Sequence, residues 1–159
     1  MSFIGIIANK KDFLNIKKYF SKKIKADFIE IEENNIENIK NVFFDSIVIL
    51  NTIAKSKQKY LEKICDNANY LIINSDIELK LGENNKKKII TFGMNQLATV
   101  TISSVTEDRV LIAQQRNIIN SKNKVIEVKE KAVNSKVKNN SKIYNILIKY
   151  IIENIYYIK

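Results

Sequence analysis

The sequence predicts an α/β chain: a mostly parallel sheet flanked by helices, followed by a small antiparallel β extension and a C-terminal helix. Three observations lead there. Short continuous apolar runs alternate with amphipathic segments of helical length over residues 1–95, the signature of βαβ units. The runs stop on turn residues: Tyr70–Ile73 ends at Asn74-Ser75-Asp76 and Ile89–Phe92 at Gly93, with a polar Gly82-Glu83-Asn84-Asn85 turn between them. Beyond Gly93 the pattern becomes alternation, Ala98, Val100 and Ile102 against Thr99, Thr101 and Ser103, as in a strand with one wet face. Right-handed crossovers would cover both faces of the first sheet, so this part is expected to be Rossmann-like. One domain over residues 1–159 accommodates the whole: 1–95 as the parallel part, 96–131 as the antiparallel part and 141–159 as a closing helix.

Phe3–Ala8 reads as a buried strand, and Asn9 as the cap of a helix over about Lys11–Lys23 with Phe13, Ile16, Tyr19 and Phe20 inward. Ala26–Glu32 is the second strand. Asn34 or Asn35 then caps a shorter helix with Ile36, Ile39, Val42 and Phe43 on one face. Asp45–Leu50 is the third strand, with Asn51-Thr52 at its tip. Lys55–Asn67 is the next helix, held inward by Tyr60, Leu61, Ile64 and Cys65. In the extension, Ala98–Val105 and Val110–Gln114 are joined by the turn Thr106–Arg109, and Val125–Lys129 is a third strand. Ala132–Asn140, rich in Lys, Asn and Ser, reads as a mobile connection.

Ser141 caps the last helix. Ile143, Ile146, Leu147, Tyr150, Ile151 and Ile155 cover one wide side, while Tyr144, Ile148, Ile152 and Tyr156 carry apolar character round much of the remainder. A helix apolar nearly all round must be buried on most sides, by its own domain or by a second subunit or another protein. The residues expected at such an interface, in a homo-oligomer or with a protein partner, are Tyr144, Ile148, Ile152, Tyr156 and Tyr157; rigid rings cost little entropy to fix.

Composition narrows the chemistry. The net charge of +10 is almost all lysine, since Arg109 and Arg116 are the only arginines. Such a charge attracts polyanions at long range, but the residue best suited to phosphates and base edges is nearly missing. No specific nucleic-acid partner is expected, because the basic Lys122–Lys142 stretch carries no interleaved aromatics to stack bases. Histidine is absent, which removes the usual general base and the commonest metal ligand. The lone Cys65 excludes an internal disulfide and a cysteine metal cluster. No metal and no cofactor are expected. No apolar run reaches the length of a membrane span and no secretory segment opens the chain, so the cytoplasm is the expected compartment.

Ligands of open parallel sheets sit beyond the carboxyl ends of strands. Those ends carry Ala8-Asn9, Asn51-Thr52, Asn74-Ser75-Asp76 and Gly93-Met94-Asn95, which are polar, rich in amides and without a general base. Should a nucleotide or anion site survive, its candidates are Lys10, Lys11, Asn51, Thr52, Asn74 and Asp76. Their bland role is to cap helices and turns or to be solvated. Arg116, which follows Gln114-Gln115 at a strand end, is a further candidate for a partner contact.

These residues give the chain a resemblance to the central, ATP-binding domain of the Mur ligase family, whose members make amide bonds in peptidoglycan precursors. Ile72-Ile73-Asn74-Ser75-Asp76 resembles the family's "NADD" strand end, and Ile89-Ile90-Thr91-Phe92-Gly93 its "TFG" strand. Ala98-Thr99-Val100 stands where the family has Ala-Asp-Val. Asp45–Asn51 is similar to the strand ending in "TN", and Tyr144-Asn145-Ile146-Leu147 to the "YNxLA" opening of the helix that closes the domain. The similarity spans about Asp45–Glu153, and order and spacing carry it rather than any single motif.

The resemblance implies a Rossmann-like fold with a nucleotide seated on a phosphate loop of the form G-T-x-G-K-T. Laid without a gap, those positions fall on Ala8, Asn9, Lys10, Lys11, Asp12 and Phe13, so both loop glycines are gone and Asp12 stands in place of the phosphate lysine; a one-residue shift would bring Lys11 into register and put Asp12 in place of the hydroxyl that touches magnesium. The family's Asp-His after the third strand is replaced by Ile53-Ala54-Lys55, and its His-Asn pair by Ser141-Lys142. Phosphoryl transfer depends on that loop and its metal. The expectation is therefore a non-catalytic, Mur ligase-like structural or regulatory interaction protein, its setting in cell-envelope or sporulation processes borrowed from the resemblance. The alternatives are an ATP-binding protein with a degenerate phosphate loop and a weak, basic nucleic-acid binder.

Overall fold

The computed structural model describes residues 1–82 and 88–158. The fold is a mixed, mostly parallel β-sheet flanked by helices, with a small antiparallel β extension and a C-terminal helix. The chain divides into two compact units, Met1–Ile73 with Ile77–Ile89, and Asn74–Asp76 with Ile90–Lys159. The division falls inside the strand expected at Ile89–Phe92, and the expected polar turn at Glu83–Asn85 lies outside the described residues.

The first unit contains β1 (Phe3–Ile7), α1 (Lys10–Phe20), β2 (Asp27–Glu30), β3 (Phe44–Ile49), a 3-10 turn at Lys55–Lys57, α2 (Gln58–Asp66) and β4 (Ala68–Asn74), whose last residue belongs to the second unit. Its strands lie in the order β4-β3-β1-β2, all parallel. The continuous apolar runs are explained by burial on both faces: Ile4, Ile6, Ile47, Val48 and Ile49 are all fully buried. Gly5 is required by packing, since a Cβ there would lie 2.6 Å from Ile31 Cδ1 and 3.0 Å from the Phe44 ring. Asn9 caps α1 as expected, its Oδ1 accepting the Asp12 N–H at 2.9 Å, and the helix buries Phe13, Ile16 and Phe20.

One expected helix does not form. Residues 33–41 are a chain of turns, in which Ile36 alone is fully buried, and Phe43, just beyond them, is 57% exposed. The asparagines explain it. Asn35 accepts the Glu32 N–H through Oδ1 at 2.8 Å and donates through Nδ2 to the Glu30 carbonyl at 2.8 Å. Such local side-chain bonds offer the backbone an alternative to the helix.

The second unit contains most of β5 (Lys88–Phe92), then β6 (Val100–Val105), β7 (Arg109–Gln114), β8 (Ile118–Ile119), β9 (Val125–Ile126), β10 (Lys129–Asn134) and α3 (Asn140–Ile155). β6 joins β5 in parallel at Phe92↔Val100, β7 pairs with β6 and β10 with β7 antiparallel, and β8–β9 is a separate ribbon. Val125–Lys129 is thus not one strand, because the chain leaves the ribbon and enters the sheet at Lys129. Ala132–Asn134, expected in a mobile connection, is paired in β10 up to Asn134↔Arg109. β10 is almost wholly exposed, so no burial alternation announced it, and its charged side chains guard an open edge.

α3 is capped by Asn139 rather than Ser141: Asn139 Oδ1 accepts the Lys142 N–H at 3.0 Å. Ile148 and Ile152, expected at an interface, are 0% exposed within the single chain. Packing inside the chain already covers the helix there. Among the described residues no helix is long and apolar enough to cross a membrane.

Candidate functional site

In the first unit the chain runs from β1 to β2 on one side, then returns to place β3 on the other side of β1. That reversal is the topological switch point at which open α/β sheets bind ligands, outside the carboxyl ends of the strands. A cleft of about 420 Å³ lies there, walled by Ile7, Ile31 and Ile53 and rimmed by Asn9, Glu32, Glu33, Asn34, Asn51 and Thr52. Its lining carries two carboxylates and, among the described residues, no lysine or arginine. The rim is therefore hostile to phosphate.

The turn between β1 and α1 is closed by its own side chains. Besides the cap from Asn9 Oδ1 to the Asp12 N–H, Asn9 Nδ2 donates to Asp12 Oδ2 at 2.9 Å. Asp12 is only 4% exposed, so a carboxylate is fixed in the first turn of α1, where the helix dipole and free amides would otherwise favour an anionic ligand. Lys10 does not face an open phosphate site: its ammonium meets Glu30 Oε2 at 2.7 Å, and the hydrogen bond and charge of Glu30 raise its pKa. Lys11 is exposed. Asn51, in the orientation that satisfies both amide atoms, donates to the Leu50 carbonyl and accepts the Asn9 N–H, each at 3.2 Å. Of the six sequence candidates, Asn51 and Thr52 share the cleft with Asn9, while Lys10 is taken up by Glu30.

Asn74 and Asp76 belong to the second unit and are engaged there. Asn74 is buried and its Oδ1 accepts the Asp76 N–H at 2.9 Å. Asp76 Oδ2 accepts the Met94 N–H at 2.7 Å and the Tyr144 hydroxyl at 2.9 Å, and Oδ1 accepts the Asn95 N–H at 3.0 Å. The carboxylate thus occupies the amide-lined turn after β5. Gly93 permits this approach, because a Cβ there would lie 2.7 Å from Ser75 Oγ and 2.8 Å from Asp76 Oδ1. Burial, then the Asp76 bond and charge, raise the Tyr144 pKa.

No protein-family model matches the chain, and no curated protein matches it.

Sequence reasoning missed the Asp76 hub, because its partners are distant in the chain and only the fold brings them together. Gln114 is another such centre. It is 1% exposed, its Nε2 donates to the carbonyls of Arg116, Ile126 and Glu127, and its Oε1 accepts the Tyr150 hydroxyl at 2.7 Å. Gln115 Nε2 donates to the Gln96 and Ala98 carbonyls and Arg116 Nη1 to the Leu97 carbonyl, which gives the trio a structural task. Among the described residues no group of three or more Cys, Asp or Glu is placed to hold a metal ion.

Proposed function

We propose that this chain is a non-catalytic interaction protein built on a nucleotide-binding type of scaffold, similar to the central domain of the Mur ligases but without its phosphate grip. The observation that carries the reading is the reciprocal Asn9–Asp12 closure of the turn after β1, which places a buried carboxylate where a nucleotide's phosphates would sit. The acidic rim of the neighbouring cleft supports it. An interaction role is supported by the β8–β9 ribbon, whose cross-strand pair Ile119 and Val125 is 43% and 57% exposed, close in sequence to Val128 at 57%. Of the five residues expected at an interface, Tyr157 remains well exposed and Tyr156 half-buried.

Calorimetric titration with ATP and magnesium is expected to give no heat of specific binding; micromolar affinity would overturn the reading. Sedimentation across a concentration series tests whether the partner is a second copy. Replacing Ile119 and Val125 together by lysine should abolish any self-association seen.

A further inference from the structure

We infer that the C-terminal end of α3 and the lysines around it form a sequence-tolerant site for single-stranded nucleic acid, with Tyr157 as its stacking platform. The site lies wholly in the second unit and uses no residue of the closed turn after β1, so either reading can fail without the other.

The first observation is conformational. Tyr157 follows the last turn of α3 with φ +57°, and the Ile158 N–H donates to the Glu153 carbonyl at 3.0 Å to close the helix end. That left-handed position normally belongs to glycine, since a side chain there is strained. The chain nevertheless places a large aromatic there and leaves it 48% exposed. Retained strain of this kind points to use of the side chain.

The second observation is electrostatic. In sequence the basic stretch contains no aromatic, but the fold brings Tyr157 to it: Lys122 Nζ lies 4.9 Å from the centre of its ring. Next to the ring is a hollow of about 210 Å³ lined by Ile126, Lys129, Glu153, Asn154 and Ile158. Alternation along β10 puts Lys129 and Lys131 on the same face, and both reach α3, at Asn154 Oδ1 (3.4 Å) and Glu153 Oε2 (4.0 Å). Glu130 points to the opposite face, and the long contact to Lys131 partly offsets Glu153, the one carboxylate lining the hollow among the described residues. An exposed ring with Lys122 against it, Lys129 in the adjoining hollow and Lys131 beside Glu153 is the combination by which proteins hold unpaired strands, bases on the ring and phosphates on the ammonium groups. A duplex keeps its bases stacked internally and offers no free face to Tyr157.

Fluorescence anisotropy with labelled oligo(dT) tests the site on the full chain. The decisive variant is Tyr157→Gly, which relieves the backbone strain while removing the ring. It should keep or raise the melting temperature and weaken oligo(dT) binding about tenfold. Tyr157→Phe should retain affinity, and Lys129→Glu should weaken it and flatten its salt dependence. For the unaltered chain, a roughly fourfold rise in salt should weaken binding about twentyfold if three phosphates are neutralised. The inference is overturned if Tyr157→Gly binds as the unaltered chain does, or if poly-L-glutamate or the corresponding duplex competes as well as the strand. Equal competition by thymidine monophosphate would likewise replace a strand site with a mononucleotide pocket.

Discussion

The turns after β1 and after β5 solve one problem in different ways. Each follows the carboxyl end of a strand and presents backbone N–H groups, and each holds a carboxylate of the chain itself. After β1 the closure is local, Asn9 to Asp12, and the carboxylate is buried. After β5 it is long-range: Asp76 is exposed yet gathers the Met94 and Asn95 amides and the Tyr144 hydroxyl. The local closure fills the first turn with the chain's own side chains. The long-range one is a staple of the second unit, fastening the end of β4 and the turn after β5 to α3.

Substitutions separate the two. Gly93→Ala should have the largest effect, about 2–3 kcal/mol lost by urea denaturation, because the new Cβ must displace the Asp76 carboxylate. Asp76→Ala should cost about 1–3 kcal/mol, leaving three donors without their acceptor. Tyr144→Phe removes one of those bonds and should cost about 1 kcal/mol, and less in the Asp76→Ala background, where the hydroxyl keeps only its bond with Asn74. Independent, additive losses would show that Asp76 is not the hub. Asp12→Ala should cost about 1 kcal/mol, the ordinary value of a local capping interaction.

Alkaline pH probes the two units through one buried tyrosine each. Burial pushes Tyr70 in the first unit and Tyr150 in the second up to about 12. The unfolded hydroxyls ionise near 10, so the unfolded chain releases these protons first. Their contribution is whole below about pH 10 and is lost as pH rises through about 12. Urea midpoints should fall over that window, and Tyr70→Phe or Tyr150→Phe should each make the fall shallower. An unchanged slope in both would contradict the burial.

The first unit was largely legible because its signals are local. Apolar runs bounded by turn residues marked its strands, and Asn9 could be identified as a cap. Residues 33–41 misled because apolar spacing suggested a helix while Asn35 bonded back to the backbone of Glu30 and Glu32. β10 was invisible because an exposed edge strand has no buried face, so only its ladder to β7 defines it. The apolar girth of α3 was legible but not what covers it; Ile148 and Ile152 turn inward within the chain. At the site, amide-rich strand ends were evident, whereas the Asp76 hub and the meeting of Tyr157 with Lys122 depend on tertiary placement.

The claim that the first turn is closed to phosphate is tested most directly by following backbone amide resonances of Lys10–Phe13 while magnesium ATP is added. The account predicts that these amides stay in place up to millimolar nucleotide, with any shifts elsewhere weak and salt-sensitive. A saturable micromolar shift of the Lys11 and Asp12 amides would contradict it.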